Sequence, residues 1–156
     1  MAPTLEEWEA RLPRTSRPVA NYAMFRRSGR LAFTAGVIPM VEGELQVIGK
    51  VGREVSLEEG YEASRTCALM ALSILKEALG SLSRVSKVLQ LVVYVASEEG
   101  FTDQPKVADG ASDLLVEVFD EDGRPTRLAV GVSQLPLGAP VELSMVVEVS
   151  EQPSGP

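Results

Sequence analysis

The sequence predicts an α+β fold: a mixed β-sheet with two main helices packed on one of its faces. Three observations predict it. Two long stretches, 56–80 and 101–119, carry a helical period together with their own start or stop signals. Between them, 85–96 reads as a strand rich in β-favouring residues, and shorter alternating runs stand in pairs towards both ends of the chain. The resulting order, β-β-(β)-α-β-α-β-β, puts long crossovers between strands, which is how a sheet comes to be covered by helices. With 156 residues the chain is long enough for one sizeable core, and residues 1–150 read as one domain.

Thr4 and Glu7 form a Thr-x-x-Glu box that starts a short helix. Leu5, Trp8 and Leu12 share one face and Pro13 closes the segment, so residues 1–16 read as a capping helix and linker, with Trp8 as a packing anchor. Residues 19–27 and 31–36 read as strands around a Ser28-Gly29 turn, with Tyr22 a half-buried residue of the first. Gly36 ends the second, where it either turns the chain or lets backbone N–H groups approach a ligand. A polar turn at 41–44 leads to a third short strand at 45–51. Gly49-Lys50-Val51-Gly52 lacks the spacing of a phosphate-binding loop.

Ser56 and Glu59 form a second capping box, and no proline interrupts the chain from Leu57 to Leu79, with Gly80 as the stop. The apolar face is broad: Ala68, Ala71, Leu72, Leu75 and Leu79, flanked by Cys67, Met70 and Ile74. That width implies a helix laid on a sheet and largely covered. In strand 85–96, Val88-Leu89 and the run from Leu91 to Val95 are too continuously apolar for one wet face, which implies sheet interior or a second face covered by another subunit. In the second helix, 101–119, Pro105 suits the first turn. Gly110 costs about 1 kcal/mol relative to alanine there, so it marks close packing or a loop-to-helix transition.

Residues 123–149 read as two strands joined by a short turn, a hairpin matching the one near the start. Leu128, Val130 and Val132 alternate in the first; Val141, Leu143, Met145, Val147 and Val149 alternate in the second. Leu135-Pro136-Leu137-Gly138-Ala139-Pro140 supplies the turn punctuation. Arg127 and Glu142 interrupt this apolar block, each on the face opposite its apolar neighbours. They are either the polar face of an ordinary strand pair or a guanidinium and a carboxylate lining a pocket. Residues 151–156 read as a disordered tail.

Composition narrows the chemistry. A net charge of −7 speaks against nucleic acid or an anionic membrane as partner. The chain has no histidine, which excludes Ser-His-Asp and Cys-His machinery and His-based metal sites. Proton transfer must use carboxylate, Tyr, Lys, Cys, backbone or water. Cys67 is the only cysteine, so no intrachain disulfide forms, and it reads as a small apolar core residue. The first residues are acidic and polar, and no apolar run approaches the roughly 18 residues of a membrane span, which suits a soluble cytoplasmic protein.

Pro125-Thr126-Arg127-Leu128-Ala129-Val130, then Leu135-Pro136, then Val141-Glu142-Leu143 resembles the C-terminal signature of the YjgF/RidA family, also called YjgF/UK or L-PSP. The likeness runs from about Arg17 to Val149, and the block around Gly110-Ala111-Ser112-Asp113 is similar to a longer, less characterised bacterial branch. The resemblance implies a chorismate-mutase-like fold and a homotrimer with pockets between subunits. It implies hydrolysis of reactive 2-enamine and 2-imino acids to 2-oxo acids and ammonia, without metal or cofactor. It places Arg127 on the substrate carboxylate and Glu142 on the attacking water. It adds Tyr22, Ala35, Gly36 and Ala129 to the substrate-binding set. An arginine fork suits a carboxylate, and a glutamate can orient or deprotonate water. The alternative is a non-catalytic trimer that binds a small carboxylate such as a 2-oxo acid; the endoribonuclease suggested by the L-PSP name fits an acidic, histidine-free chain poorly. Ala35 stands where the family has a pocket serine, Leu128 where it has a serine after the arginine, and the family's asparagine after the fourth strand has no clear counterpart.

Overall fold

The computed structural model describes residues 1–15 and 17–151. Of the predicted tail at 151–156, residues 152–156 lie outside the described residues. Helix α1 (Leu5–Ala10) starts at the predicted capping box, with Thr4 and Glu7 exchanging hydrogen bonds. Its Glu9 accepts hydrogen bonds from Ser81 Oγ at 2.9 Å and Leu82 N at 2.7 Å, which pins α1 to the turn after the long helix and buries Trp8.

Strands β1 (Phe25–Ser28) and β2 (Leu31–Thr34) form the first hairpin. Both are shorter than the sequence pattern suggests. Tyr22 falls outside β1, its N–H donating to Ala20 O in a local turn, and it is 48% exposed instead of half-buried in a strand. The expected third strand at 45–51 is reduced to a two-residue ladder, β3 (Met40–Val41) against β4 (Glu44–Leu45). Helix α2 (Leu57–Leu79) keeps its predicted limits and its capping box. Strand β5 (Val85–Ala96), helix α3 (Gln104–Phe119), and strands β6 (Thr126–Val132) and β7 (Val141–Val149) complete the chain.

The five-stranded sheet has the order β1-β2-β7-β5-β6, with β5 and β6 parallel and the other pairs antiparallel. This corrects the hairpin expected between β6 and β7. The two strands do run in opposite directions, but β5 lies between them and pairs with both. The Pro and Gly residues of 136–140 do reverse the chain, yet the reversal carries it across a strand already in place.

Alternation on β7 is strict: Val141, Leu143, Met145, Val147 and Val149 are buried, and the residues between them are not. The buried face meets α2 and α3. The helices approach closely at Gly110, where an added Cβ would stand 2.0 Å from Tyr61 O, which is the close packing the sequence left open. Ser64 Oγ accepts the Ala111 N–H at this contact. Cys67 is fully buried, and burial pushes its thiol pKa well up. Among the described residues no layer covers the other sheet face. Phe33 and Leu128 there are 44% and 53% exposed. Among the described residues no helix is long and apolar enough to cross a membrane.

Candidate functional site

The period of β7 sends Glu142 and Ser144 to the open face. On one side, β5 sets Tyr94 directly opposite Glu142 and Val92 opposite Ser144. On the other side the β2–β7 ladder is interrupted. Ala32 pairs with Val147 and Val37 bridges Leu143, so five steps on one segment face four on the other. The extra residue is a β-bulge at Ala35-Gly36. Thr34 patches the gap, its Oγ1 accepting the Met145 N–H at 3.2 Å. The Ala35 N–H turns away to Met24 O at 2.8 Å. The Gly36 N–H donates to no acceptor among the described residues.

Glu142 packs its carboxylate against this bulge. A Cβ on Gly36 would stand 2.5 Å from Glu142 Oε1, so only glycine leaves room for the carboxylate where it is. No hydrogen bond or ion pair engages that carboxylate among the described residues, and burial holds its pKa above the ordinary glutamate value. It opens into a cleft of about 390 Å³ lined by Thr34, Gly36, Tyr94, Leu135, Glu142 and Ser144. A second cavity of similar size shares Leu135 and continues towards Lys50 and Ser133.

Arg127 is elsewhere. It pairs with Leu91 of β5 and lies on the helix side of the sheet, as does Ala129, which packs against the core beside Val93. The guanidinium Nη1 donates to Asp109 Oδ1 at 2.6 Å and to Ser112 Oγ at 3.0 Å, both on α3. Its Nε and Nη2 have no acceptor among the described residues. Within the chain the sheet therefore separates Arg127 from Glu142. The cause is strand parity: Leu91 and Tyr94, their respective β5 neighbours, point to opposite faces. Of the residues expected in the pocket, Glu142 and Gly36 meet, with Ala35 in the bulge; Tyr22 does not line the cleft.

Tyr94, Thr34, Leu135 and Ser144 were not expected at the site. Ser144 was readable from its two-residue spacing to Glu142. Tyr94 was not, because its place opposite Glu142 depends on a register that only the folded sheet defines. Asp109 and Ser112, the partners of Arg127, carried no sequence signal either.

Comparison with known proteins follows the same lines. Residues 5–149 match the family model described as "YjgF/chorismate_mutase-like, putative endoribonuclease". Protein TCP17 of Trypanosoma cruzi is 40% identical over 151 residues, 96% of this chain and 94% of that protein. A Shewanella oneidensis structure described as a "putative endoribonuclease" is 31% identical with a TM-score of 0.89, covering 94% of this chain and 100% of its own. TdcF of E. coli, solved with bound serine, shares the fold at 20% identity and a TM-score of 0.61, over 88% of this chain and 94% of its own.

Proposed function

Because the chain belongs to the YjgF/RidA family, we propose that it is a deaminase that hydrolyses 2-enamine and 2-imino acids to 2-oxo acids and ammonia. The observation that carries this reading is Glu142: an unpaired, partly buried carboxylate held against the Gly36 bulge at the mouth of an open cleft. A carboxylate whose pKa is raised by burial is a stronger base than a solvated one, and it suits activation of water. The Gly36 N–H, which donates to no acceptor among the described residues, is a further donor beside that carboxylate. No histidine or metal is called for, because imine hydrolysis needs little more than position and proton movement.

Arg127 enters this reading from a neighbouring subunit. The open sheet face carries Leu31, Phe33 and Leu128, a patch suited to burial against another copy. A homotrimer would bring the Arg127-bearing edge of one subunit towards the Glu142 cleft of the next. There the unused Nε and Nη2 edge would bind the substrate carboxylate bidentately while Nη1 stays on Asp109. A cytoplasmic setting suits such a reaction.

The same ion pair favours a second reading, a non-catalytic binder of small carboxylates. Asp109 neutralises part of the charge that would anchor a substrate, and Ala35 offers no hydroxyl to the cleft. An endoribonuclease activity is not adopted, since a net charge of −7 opposes RNA binding.

The test is release of 2-oxo acid from freshly generated imino acids, comparing wild type with Arg127→Ala and Glu142→Gln. Acceleration over buffer that both variants lose supports deamination and both roles. A wild type that does not exceed buffer across several side-chain classes, yet is stabilised thermally by 2-oxo acids, supports the binder instead.

A further inference from the structure

Hydrolysis of an imine moves protons at two places. Water must lose one as it attacks the carbon, and the nitrogen must gain two before it leaves as ammonia. Glu142 answers the first requirement. The second needs a donor in the same cleft, and few side chains there qualify. Thr34 is buried, with its Oγ1 accepting the Met145 N–H. Ser144 carries an alcohol, a far weaker acid than a phenol. Cys67 lies fully buried beneath the sheet.

Tyr94 remains. It is the cross-strand partner of Glu142, on the same face, and residues so paired place their Cβ atoms about 5 Å apart. It lines the same cleft and is 37% exposed. Its hydroxyl makes no hydrogen bond among the described residues, so it is available to a ligand. β5 and the Gly36 bulge flank β7 on opposite sides, so Tyr94 and the bulge stand on either side of Glu142. A substrate seated between them meets a base on one side and a phenol on the other.

We infer that Tyr94 is the proton donor to the substrate nitrogen. This assignment rests on the deaminase reading. Water attacks the imine carbon, forming the C–O bond and opening the C=N double bond; the water proton passes to Glu142 and the Tyr94 proton to nitrogen. Glu142 returns its proton to the phenolate. In the collapse of the carbinolamine, its hydroxyl proton passes to Glu142, Tyr94 protonates nitrogen again, the C–N bond breaks, and Glu142 again returns its proton to the phenolate. The products are 2-oxo acid and ammonia, and both residues end as they began.

The experiment compares wild type, Tyr94→Phe, Glu142→Gln and the double variant on two substrates. One is a 2-imino acid with an N–H imine. The other is an N,N-dialkyl 2-iminium acid, whose attack needs no proton at nitrogen. On the first, Tyr94→Phe lowers kcat about 10²-fold with KM within about threefold. Oligomer mass and thermal midpoint stay as in wild type. The double variant is no slower than Glu142→Gln, as for groups acting as one unit. On the iminium substrate the loss shrinks below about tenfold. A wild type that turns over while Tyr94→Phe stays within about twofold overturns the assignment and spares the deaminase reading; so does an equal loss on both substrates, which marks a packing role. A wild type that releases no 2-oxo acid overturns both.

Discussion

Replacing Gly36 with alanine should separate activity from stability. The backbone tolerates the change, because Gly36 is not among the glycines in the left-handed region. The added methyl would stand 2.5 Å from Glu142 Oε1, against 3.4 Å for the near edge of ordinary contact. The carboxylate must therefore withdraw by about 1 Å, and a displacement of that size can cost about 10²-fold in rate, or about 2.7 kcal/mol of barrier. Stability should hardly change. The clashing atoms end a side chain that faces an open cleft, and alanine restricts the unfolded chain by about 0.4–1 kcal/mol in favour of folding. Urea unfolding at pH 7 and 2-oxo acid release on the same preparation measure both quantities. Wild-type kcat in Gly36→Ala would refute the claim that the bulge sets the carboxylate. So would a large loss of stability, which would mean that the glycine is needed by the fold and not by the site.

Gly110→Ala should behave in the opposite way. Its methyl meets backbone, Tyr61 O at 2.0 Å and Arg65 N at 3.2 Å, so α2 and α3 must part, with a loss of about 3 kcal/mol in urea unfolding. Leu128→Glu puts a charge into the open sheet face; light scattering at micromolar concentration should show monomer for the variant and trimer for wild type, and monomer for wild type would sink the inter-subunit site. Glu142→Gln should be more stable than wild type at pH 7. A carboxyl whose folded pKa lies above its unfolded value binds protons more readily when folded, so it lowers stability as pH rises through that window. The gap between variant and wild type should close as pH falls below the ordinary glutamate range, measured as urea midpoints at pH 4 and pH 7.

Legibility in the sequence followed the range of the interaction. The caps of α1 and α2 are set by residues three apart, Thr4 with Glu7 and Ser56 with Glu59, and both were read correctly. So were the limits of β5, where the apolar run Leu91–Val95 anchors the strand. The faces of Arg127 and Glu142 relative to their own neighbours were also local and held. Their relation to each other was not legible. Proline and glycine at 136–140 announce a reversal but not which strand waits on the far side, so intervening β5 was invisible. The bulge at Ala35-Gly36 was hidden for the same reason: an extra residue is extra only against a partner's count. Tyr94 disappeared into a run read as uniformly apolar.

The position of β7 bears on how the chain reaches this fold. The last strand in sequence is an inner strand of the sheet, flanked by β2 and β5. Until it arrives, the segments of β2 and β5 have no neighbour on that side, and the β-hairpin and the parallel β5–β6 pair have no ladder joining them. Synthesis from the N-terminus delivers this strand after β2 and β5. The waiting species has two unpaired strand edges and an uncovered apolar floor beneath α2, the form most prone to joining another chain. Variants that slow the docking of β7 should therefore reveal themselves in soluble yield before they do in the stability of the finished protein.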